Sequence, residues 1–336
     1  MENSNGSNTP REAAIAGWGF ALGGSAVNSV EVDRQFGLTE GTLQQRTGIS
    51  SLARAECGDN ELSLAERACQ AAAGGAVGEI DMLLATSETN VGHPALAAKL
   101  HERLLLPSTC AVMDVGGACA GLLNAFSVAK AMLASGVRKA VLVVASEVHS
   151  RWFTPEKVTW KLGALFGDGA CAFLLRAPED APASSFTLGE FTFGCETEFS
   201  DTIRVGLSEN DSEELAVSFR GLALADVVLS RLADIARDFE ARIQTARADF
   251  AGYAIHQPNP RLIEIFARQI GIPMEKIPEV ARTSGNLGSA TCGVSLCYLL
   301  SALSREDHPA ESGPVLMAAV GPGLMWAATC LHPAHS

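Results

Sequence analysis

The sequence predicts an internally duplicated α/β protein with mostly parallel, buried sheets. Two observations predict it: apolar strand-like runs alternate with 3.6-period runs in βαβ order, and the series occurs twice, offset by about 170 residues. In the first half, IDMLLAT at 80–86 reads as a strand, HPALAAKLHERLLL as a Pro-opened helix and CAVMDV as a second strand. GGACAGLLNAFSVAKAMLASG then reads as a helix, and the very apolar KAVLVVAS closes the set. The second half repeats the order with YAIHQ, NPRLIEIFARQIGI, IPEV, SGNLGSATCGVSLCYLLSAL and PVLMAAVG. In this register Thr86 falls opposite His256 and Cys119 opposite Ser289.

The two helices that follow Asp114 and Asn286 begin with small residues, which let helices and sheets approach closely. Gly116, Gly117, Ala118, Ala120 and Gly121 crowd the first; Gly288, Ser289, Ala290 and Gly293 crowd the second. In the first, Leu122, Phe126, Ala129 and Leu133 share one helical face, and Leu123 and Val128 extend it, so the helix is expected to be buried on most sides. The organisation read from these patterns is a polar tail at 1–12, an N-terminal half at 13–176, a connection at 177–217 and a C-terminal half at 218–336. The connection is polar and acidic, with strand-like pieces SFTLGEFTFG and DTIRVGL and a run ENDSEE that reads as a solvated loop.

Composition narrows the function classes. Of 336 residues 47% are hydrophobic and 19% charged, which excludes a disordered chain and implies a large interior. A net charge of −13 argues against a nucleic-acid partner. Charged or glycine clusters interrupt every apolar stretch before it could span a membrane. The polar start MENSNGSNTPRE reads as a frayed tail, not a signal peptide. The nine cysteines are odd in number and include no CxxC pair, so they read as reduced, buried thiols of a cytoplasmic protein. Cys292 and Cys297 are five apart, and His93 and His101 eight apart with no third ligand near, so no metal site is expected.

Three residues could carry chemistry. Cys119 follows a strand and opens an apolar helix, where free N–H groups and the helix dipole favour a thiolate. Composition alone would make it a small core residue; its place between glycines at a strand-to-helix turn makes it a candidate nucleophile. His256 ends a buried strand, a position that commonly lines the ligand side of an α/β sheet, although a backbone-satisfied core histidine would look the same. Asn286 sits at the equivalent turn before the second central helix, where by itself it would be a cap. If the halves pack about a pseudo-two-fold, the three share one pocket: a nucleophile, a proton handler and a hydrogen-bond donor.

The chain resembles the ketoacyl-ACP synthase III family of the thiolase fold over nearly its whole length. The resemblance rests on RTGI at 46–49, DVGGACAGL at 114–122, LFGDGACAFLL at 165–175, HQPNPRLIE at 256–264, SGNLGSA at 284–290 and VGPGLMW at 320–326, in the family's order and spacing. It implies a thiolase-like five-layer αβαβα fold and a homodimer whose long sheets join across the interface. It implies Cys119 as the acyl-accepting nucleophile and His256 and Asn286 as donors to the thioester carbonyl that becomes an enolate. The backbone N–H groups of Cys119 and Gly323 would form the oxyanion hole, where preorganised donors are worth a few kcal/mol each, order of magnitude. The partners implied are acyl carrier proteins. No resident cofactor is implied, since the phosphopantetheine arm arrives on the carrier.

Departures from the family pattern refine this. The Trp and Arg that sandwich the CoA adenine in housekeeping members are Thr42 and Trp160 here, which favours a carrier-bound primer. RWFTPEKVTWK at 151–161 adds Arg151, Lys157 and Lys161 to an acidic protein and reads either as a docking rim for an acidic carrier or as an ordinary solvated loop. Some relatives join two acyl chains head to head, with a glutamate before a proline reaching the partner's pocket as an α-proton base. Here that residue is His93, read either as that base or as a polar helix-start residue.

The function expected is a Claisen-type ketosynthase, with head-to-head joining of two carrier-bound β-ketoacyl chains into an α-pyrone of a polyketide pathway as the preferred reaction. Malonyl-dependent elongation, an O- or N-acyltransferase of the same fold and a non-catalytic partner subunit are the alternatives. A thiolase would want a second cysteine near the GPGLMW turn, which has none.

Overall fold

The structure, a computed structural model, describes residues 12–182, 185–207, 215–304 and 313–334. Its strands are β1 (Ala14–Leu22), β2 (Ser25–Asn28), β3 (Ser51–Arg54), β4 (Met82–Thr86), β5 (Ala111–Asp114), β6 (Ala140–Val148) and β7 (Asp168–Arg176) in the first part of the chain. They continue with β8 (Phe186–Cys195), β9 (Ile203–Leu207), β10 (Leu215–Phe219), β11 (Gly252–Ile255), β12 (Val315–Gly321) and β13 (Met325–Pro333). Nine of them form one sheet in the order β11-β12-β13-β8-β1-β7-β6-β4-β5, while β2–β3 and β9–β10 are separate ribbons. The halves meet where β1 and β8 touch at one end, with Ala14 opposite Thr187 and the Leu188 N–H donating to the Ala13 carbonyl.

Three apolar clusters define five layers. Helices Glu61–Ala73 and Leu96–Arg103 cover the outer face of the first half, through Leu64, Ala68, Leu96 and Leu100 against Leu83, Leu142 and Val144. Helices Gly221–Arg242 and Pro260–Ile270 cover the outer face of the second, through Leu232, Phe239 and Phe266 against Tyr253 and Leu316. Between the two halves lie the central helices Gly121–Ala134 and Thr291–Leu303, packed on Leu84, Val143 and Phe173 from one side and Met317, Ala319 and Ala327 from the other. This is the thiolase-like αβαβα arrangement. The face Leu122, Phe126, Ala129 and Leu133 is at most 2% exposed, as its period required. Gly293 permits the close central packing, since a Cβ there would lie 2.2 Å from Cys171 Sγ and 2.6 Å from Leu122 Cδ2.

Two expectations are corrected. The sheet is mixed, not mostly parallel: β4–β5, β4–β6 and β11–β12 are parallel, but β1–β7, β6–β7, β12–β13 and β8–β13 are antiparallel. β12 and β13 are joined by three residues, too few for the crossover that a parallel pair needs. The segment IPEV is also no strand. Gln257 Oε1 accepts the Val280 and Ala281 N–H groups at 3.0 and 3.1 Å, its amide donates to the Pro278 carbonyl, and Pro278 has no N–H for a ladder. The run ENDSEE, and the tail as far as residue 11, lie outside the described residues.

Among the described residues no helix is long and apolar enough to cross a membrane. All nine cysteines are free thiols; seven are buried, but Cys57 and Cys195 are exposed, against the expectation that they would be buried.

Candidate active site

The strand ends and central-helix starts of both halves open on one apolar cavity of 760 Å³. Cys119, His256, Asn286 and Gly323 all line it. Parallel strands end their carbonyl edges at the same level, and the turns after them carry the side chains that face the gap.

The turn at Cys119 is built from Gly117 at φ 142° and Ala118 at φ 47°, a left-handed conformation that costs an alanine roughly 1–2 kcal/mol. Cys119 then sits in the 3-10 turn Ala118–Ala120 that leads into helix Gly121–Ala134, 6% exposed. Gly321 presses against it: a Cβ there would be 3.0 Å from Cys119 Cβ and 3.3 Å from Sγ. Gly323, at φ 76°, lies in the 3-10 turn Pro322–Leu324, and Cys195 Sγ donates to its carbonyl at 3.3 Å. Both Cys119 and Gly323 therefore occupy first-turn positions, whose N–H groups have no acceptor within the turn.

The expected thiolate is corrected. Burial first, and then the facing Glu88 and Glu147 carboxyls, push the Cys119 thiol well above the ordinary thiol range. A 3-10 turn ahead of the helix start does not outweigh two carboxyls in a desolvated site. The resting cysteine is a thiol.

His256 continues the β11 line, its N–H donating to the Ala318 carbonyl at 2.8 Å. It is 3% exposed, and among the described residues its Nδ1 has no hydrogen-bond partner. Burial lowers the imidazole to about 4, against the pull of the Gly288 carbonyl, so it is neutral near pH 7. Asn286 is fixed by its backbone: its N–H donates to the Leu165 carbonyl at 2.8 Å, and its carbonyl accepts the Gly167 N–H at 2.9 Å. Oδ1 accepts the Gly288 N–H at 2.9 Å and the Thr291 hydroxyl at 3.2 Å, which leaves Nδ2 as the donor toward the cavity.

Other predicted residues stand elsewhere. His93 is exposed and outside the cavity of its own chain. The helix start just after it is tied to β5, with the Leu96 and Ala97 N–H groups donating to Asp114 at 2.9 and 2.8 Å. Arg151, Lys157 and Lys161 are exposed; Arg151 pairs with Glu61 at 3.1 Å, and Lys157 lies 5.5 Å above the Trp152 ring. Trp152 lines the cavity, so this rim flanks it. Thr42 donates to the Thr39 carbonyl and Trp160 packs on the cluster around Leu43 and Leu52; neither lines the cavity.

Sequence reasoning missed Glu88, Glu147 and His149. Glu147 and His149 end the most apolar strand run, the same signal that picked out His256, but that strand was read only for its apolar residues. His149 is 1% exposed, donates through Nδ1 to the Gly167 carbonyl at 3.0 Å and is lowered to about 4 by burial. Glu147 accepts the Glu88 N–H at 3.0 and 2.9 Å, the Thr89 N–H at 3.1 Å and the Ser289 hydroxyl, so it clamps the turn after β4 to the start of the second central helix.

A duplicated five-layer fold with a cysteine at the first central-helix turn defines the thiolase-like class of proteins. Within that class, models of 3-oxoacyl-[acyl-carrier-protein] synthase III match residues 113–193 and those of its C-terminal domain match 241–332. The beta-ketoacyl-[acyl-carrier-protein] synthase III of Laribacter hongkongensis is 30% identical over 332 residues, covering 95% of this chain and 99% of the relative. The chain belongs to the 3-oxoacyl-[acyl-carrier-protein] synthase III family of condensing enzymes. Similar solved structures include the synthase III of Pseudomonas aeruginosa (TM-score 0.83, 24% identity, covering 96% of this chain and 98% of that one). The priming β-ketosynthase of the R1128 polyketide pathway has TM-score 0.83 and 24% identity, covering 98% and 100%. A variant of OleA from Xanthomonas campestris has TM-score 0.83 and 19% identity, covering 98% and 100%.

Proposed function

We propose that this protein is a carrier-dependent ketosynthase that joins two acyl thioesters, with head-to-head condensation of two carrier-bound β-ketoacyl chains toward an α-pyrone as its reaction. The observation that carries the condensation is the convergence of Cys119, His256 and Asn286 on one apolar cavity. Cys119 attacks the first thioester while the N–H groups of Cys119 and Gly323 hold the oxyanion, and the carrier's thiol leaves. The second thioester then places its carbonyl oxygen between neutral His256 and the Asn286 amide, which stabilise its enolate. The enolate carbon attacks the acyl group and releases Cys119.

Support for a carrier rather than CoA comes from Thr42 and Trp160, which stand away from the cavity, and from the cationic rim beside Trp152. A second copy of the chain fits the exposed edge of β5, where Val112 and Met113 are 40% and 43% exposed, and pairing there would continue the sheet. The His93 loop, tied to β5 through Asp114, would then lie at that interface. Malonyl-dependent elongation is the second reading, favoured by the synthase III name that the relatives carry.

The deciding experiment supplies two β-ketoacyl-carrier thioesters of different length, with and without malonyl-carrier, and weighs the products. A product containing both neutral chains supports head-to-head joining; products formed only with malonyl-carrier contradict it. Charge reversal at Arg151, Lys157 and Lys161 should slow the carrier-bound reaction severalfold, while leaving turnover of short pantetheine thioesters unchanged.

A further inference from the structure

Glu88 is the one acidic side chain in the cavity that the mechanism above leaves unused. It follows β4 by two residues, in a turn held from every side. Ser87 Oγ accepts the Thr89 and Asn90 N–H groups at 3.2 and 3.0 Å, and Thr89 Oγ1 accepts the Val148 N–H at 2.9 Å. Trp152 Nε1 donates to the Thr89 carbonyl at 3.1 Å, and both Glu147 oxygens accept the Glu88 N–H. A turn pinned at its backbone fixes where its side chain points.

The two carboxyls have different surroundings. Glu147 is saturated with donors. Glu88 and Cys119 line the same cavity, and the Glu88 carboxyl faces the Cys119 thiol. Glu88 is exposed within the cavity it lines, and desolvation by the cavity walls raises its carboxyl to about 7, with the Cys119 thiol pulling the other way. A carboxyl so placed is a poised proton acceptor near neutral pH.

We propose that Glu88 is the catalytic base that takes the α-proton of the second thioester, and that this donor is a neutral β-ketoacyl thioester. The inference rests on the head-to-head reading above. In the step, the α-C–H bond breaks and its proton goes to a Glu88 carboxylate oxygen, while the electron pair moves onto the thioester oxygen held by His256 and Asn286. The enolate carbon bonds to the acyl carbon on Cys119, the C–S bond breaks, and the departing Cys119 thiolate takes the proton from Glu88. Thiol and carboxylate are both restored, with no other reactant. A malonyl donor needs no such base, because loss of CO₂ supplies its carbanion, and its own carboxylate would be repelled by Glu88. An α-carbon between two carbonyls is acidic enough for a carboxylate of this kind.

The test uses the full-length protein and its Glu88→Gln, Glu88→Asp and His93→Ala variants, with β-ketoacyl-carrier substrates carrying hydrogen or deuterium at the α-carbon. The expected result for Glu88→Gln is acylation of Cys119 within a fewfold of wild type but carbon–carbon bond formation slower by roughly 10²–10⁴-fold. Glu88→Asp should recover part of that loss, and wild type should show a primary isotope effect that a merely structural role would not produce. Glu88→Gln joining neutral chains at the wild-type rate, losing acylation and condensation together, or leaving the loss to His93→Ala would each overturn the role of Glu88 while the head-to-head reading stood. Wild type that joins no neutral chains but condenses malonyl-carrier would overturn that reading, and the base with it.

Discussion

The two central-helix turns are the same piece of backbone used for different ends. Shifting by 170 residues places Ala118 on Gly288, Cys119 on Ser289, Ala120 on Ala290 and Gly121 on Thr291. Both 3-10 turns, Ala118–Ala120 and Gly288–Ala290, start with a left-handed residue, at φ 47° and 56°. In the second half glycine adopts that conformation freely; in the first an alanine is held there, one residue before the cysteine. The strand-end partners are exchanged as well. Thr86 lies against Gly121, where a Cβ would come 2.2 Å from its Oγ1, whereas His256 occupies the matching strand end in the second half. Ser289 gives its hydroxyl to Glu147, while Cys119 faces the open cavity. Duplication thus supplies two equivalent turns, and side-chain differences make one a thiol facing the cavity and the other the clamp that holds its surroundings.

The largest effect that tests this division concerns His256, whose counterpart Thr86 is a packing residue. His256→Ala should slow condensation by about 10²–10³-fold, the range for a lost oxyanion donor, while an acyl-enzyme still forms and is detected by intact mass. A loss of less than tenfold would leave His256 without the chemical role that sets it apart from Thr86.

The next effect separates the two turn residues. Gly288→Ala forces a left-handed φ and brings a Cβ to 2.8 Å from His149 Cε1, so thermal unfolding should show a cost of about 1–3 kcal/mol. Ala118→Gly should be neutral or stabilising by up to about 1 kcal/mol, because it relieves the strained turn. Equal costs at both would mean that the first turn stores no strain.

The third is a pH effect. His149 and His256 are lowered to about 4, so the unfolded chain binds protons that the folded one refuses between about 6.5 and 4, and the stability they contribute is lost as pH falls through that window. Glu88, raised to about 7, acts in the opposite sense: the folded state binds its proton more readily from about 7 down to 4.5. His149→Gln removes one refused proton, so on acidification from pH 6.5 to 4 the variant should lose less stability than wild type. The difference is at most about 1.4 kcal/mol per pH unit, and denaturant unfolding at several pH values measures it. Parallel pH curves would mean that His149 contributes nothing to the pH dependence.

Much of this was legible in the sequence. The 170-residue repeat located both central helices and their buried faces, because helical periodicity survives in the first turns and the small residues mark close packing. Cys119, His256 and Asn286 were legible because each ends a strand or opens a helix in a short motif. What was hidden depends on the third dimension. Glu88 lies in a polar turn, SETN, that reads like any solvated loop until Glu147, 59 residues on, fixes its backbone. The mixed direction of the sheet was invisible because buried antiparallel and parallel strands share the same apolar runs. The protonated state of Cys119 follows from two distant carboxyls and burial, which a local helix-start argument cannot include.

The central claim, that of the two equivalent turns only the first carries the acyl group, is tested most directly by peptide mapping of the protein after incubation with an acyl-carrier thioester. The expected result is one acyl group per chain, on the peptide containing Cys119, absent from Cys119→Ala and unaffected by Ser289→Ala. Acylation that persists in Cys119→Ala, or that maps to the peptide containing Ser289 or to another of the nine cysteines, would contradict it.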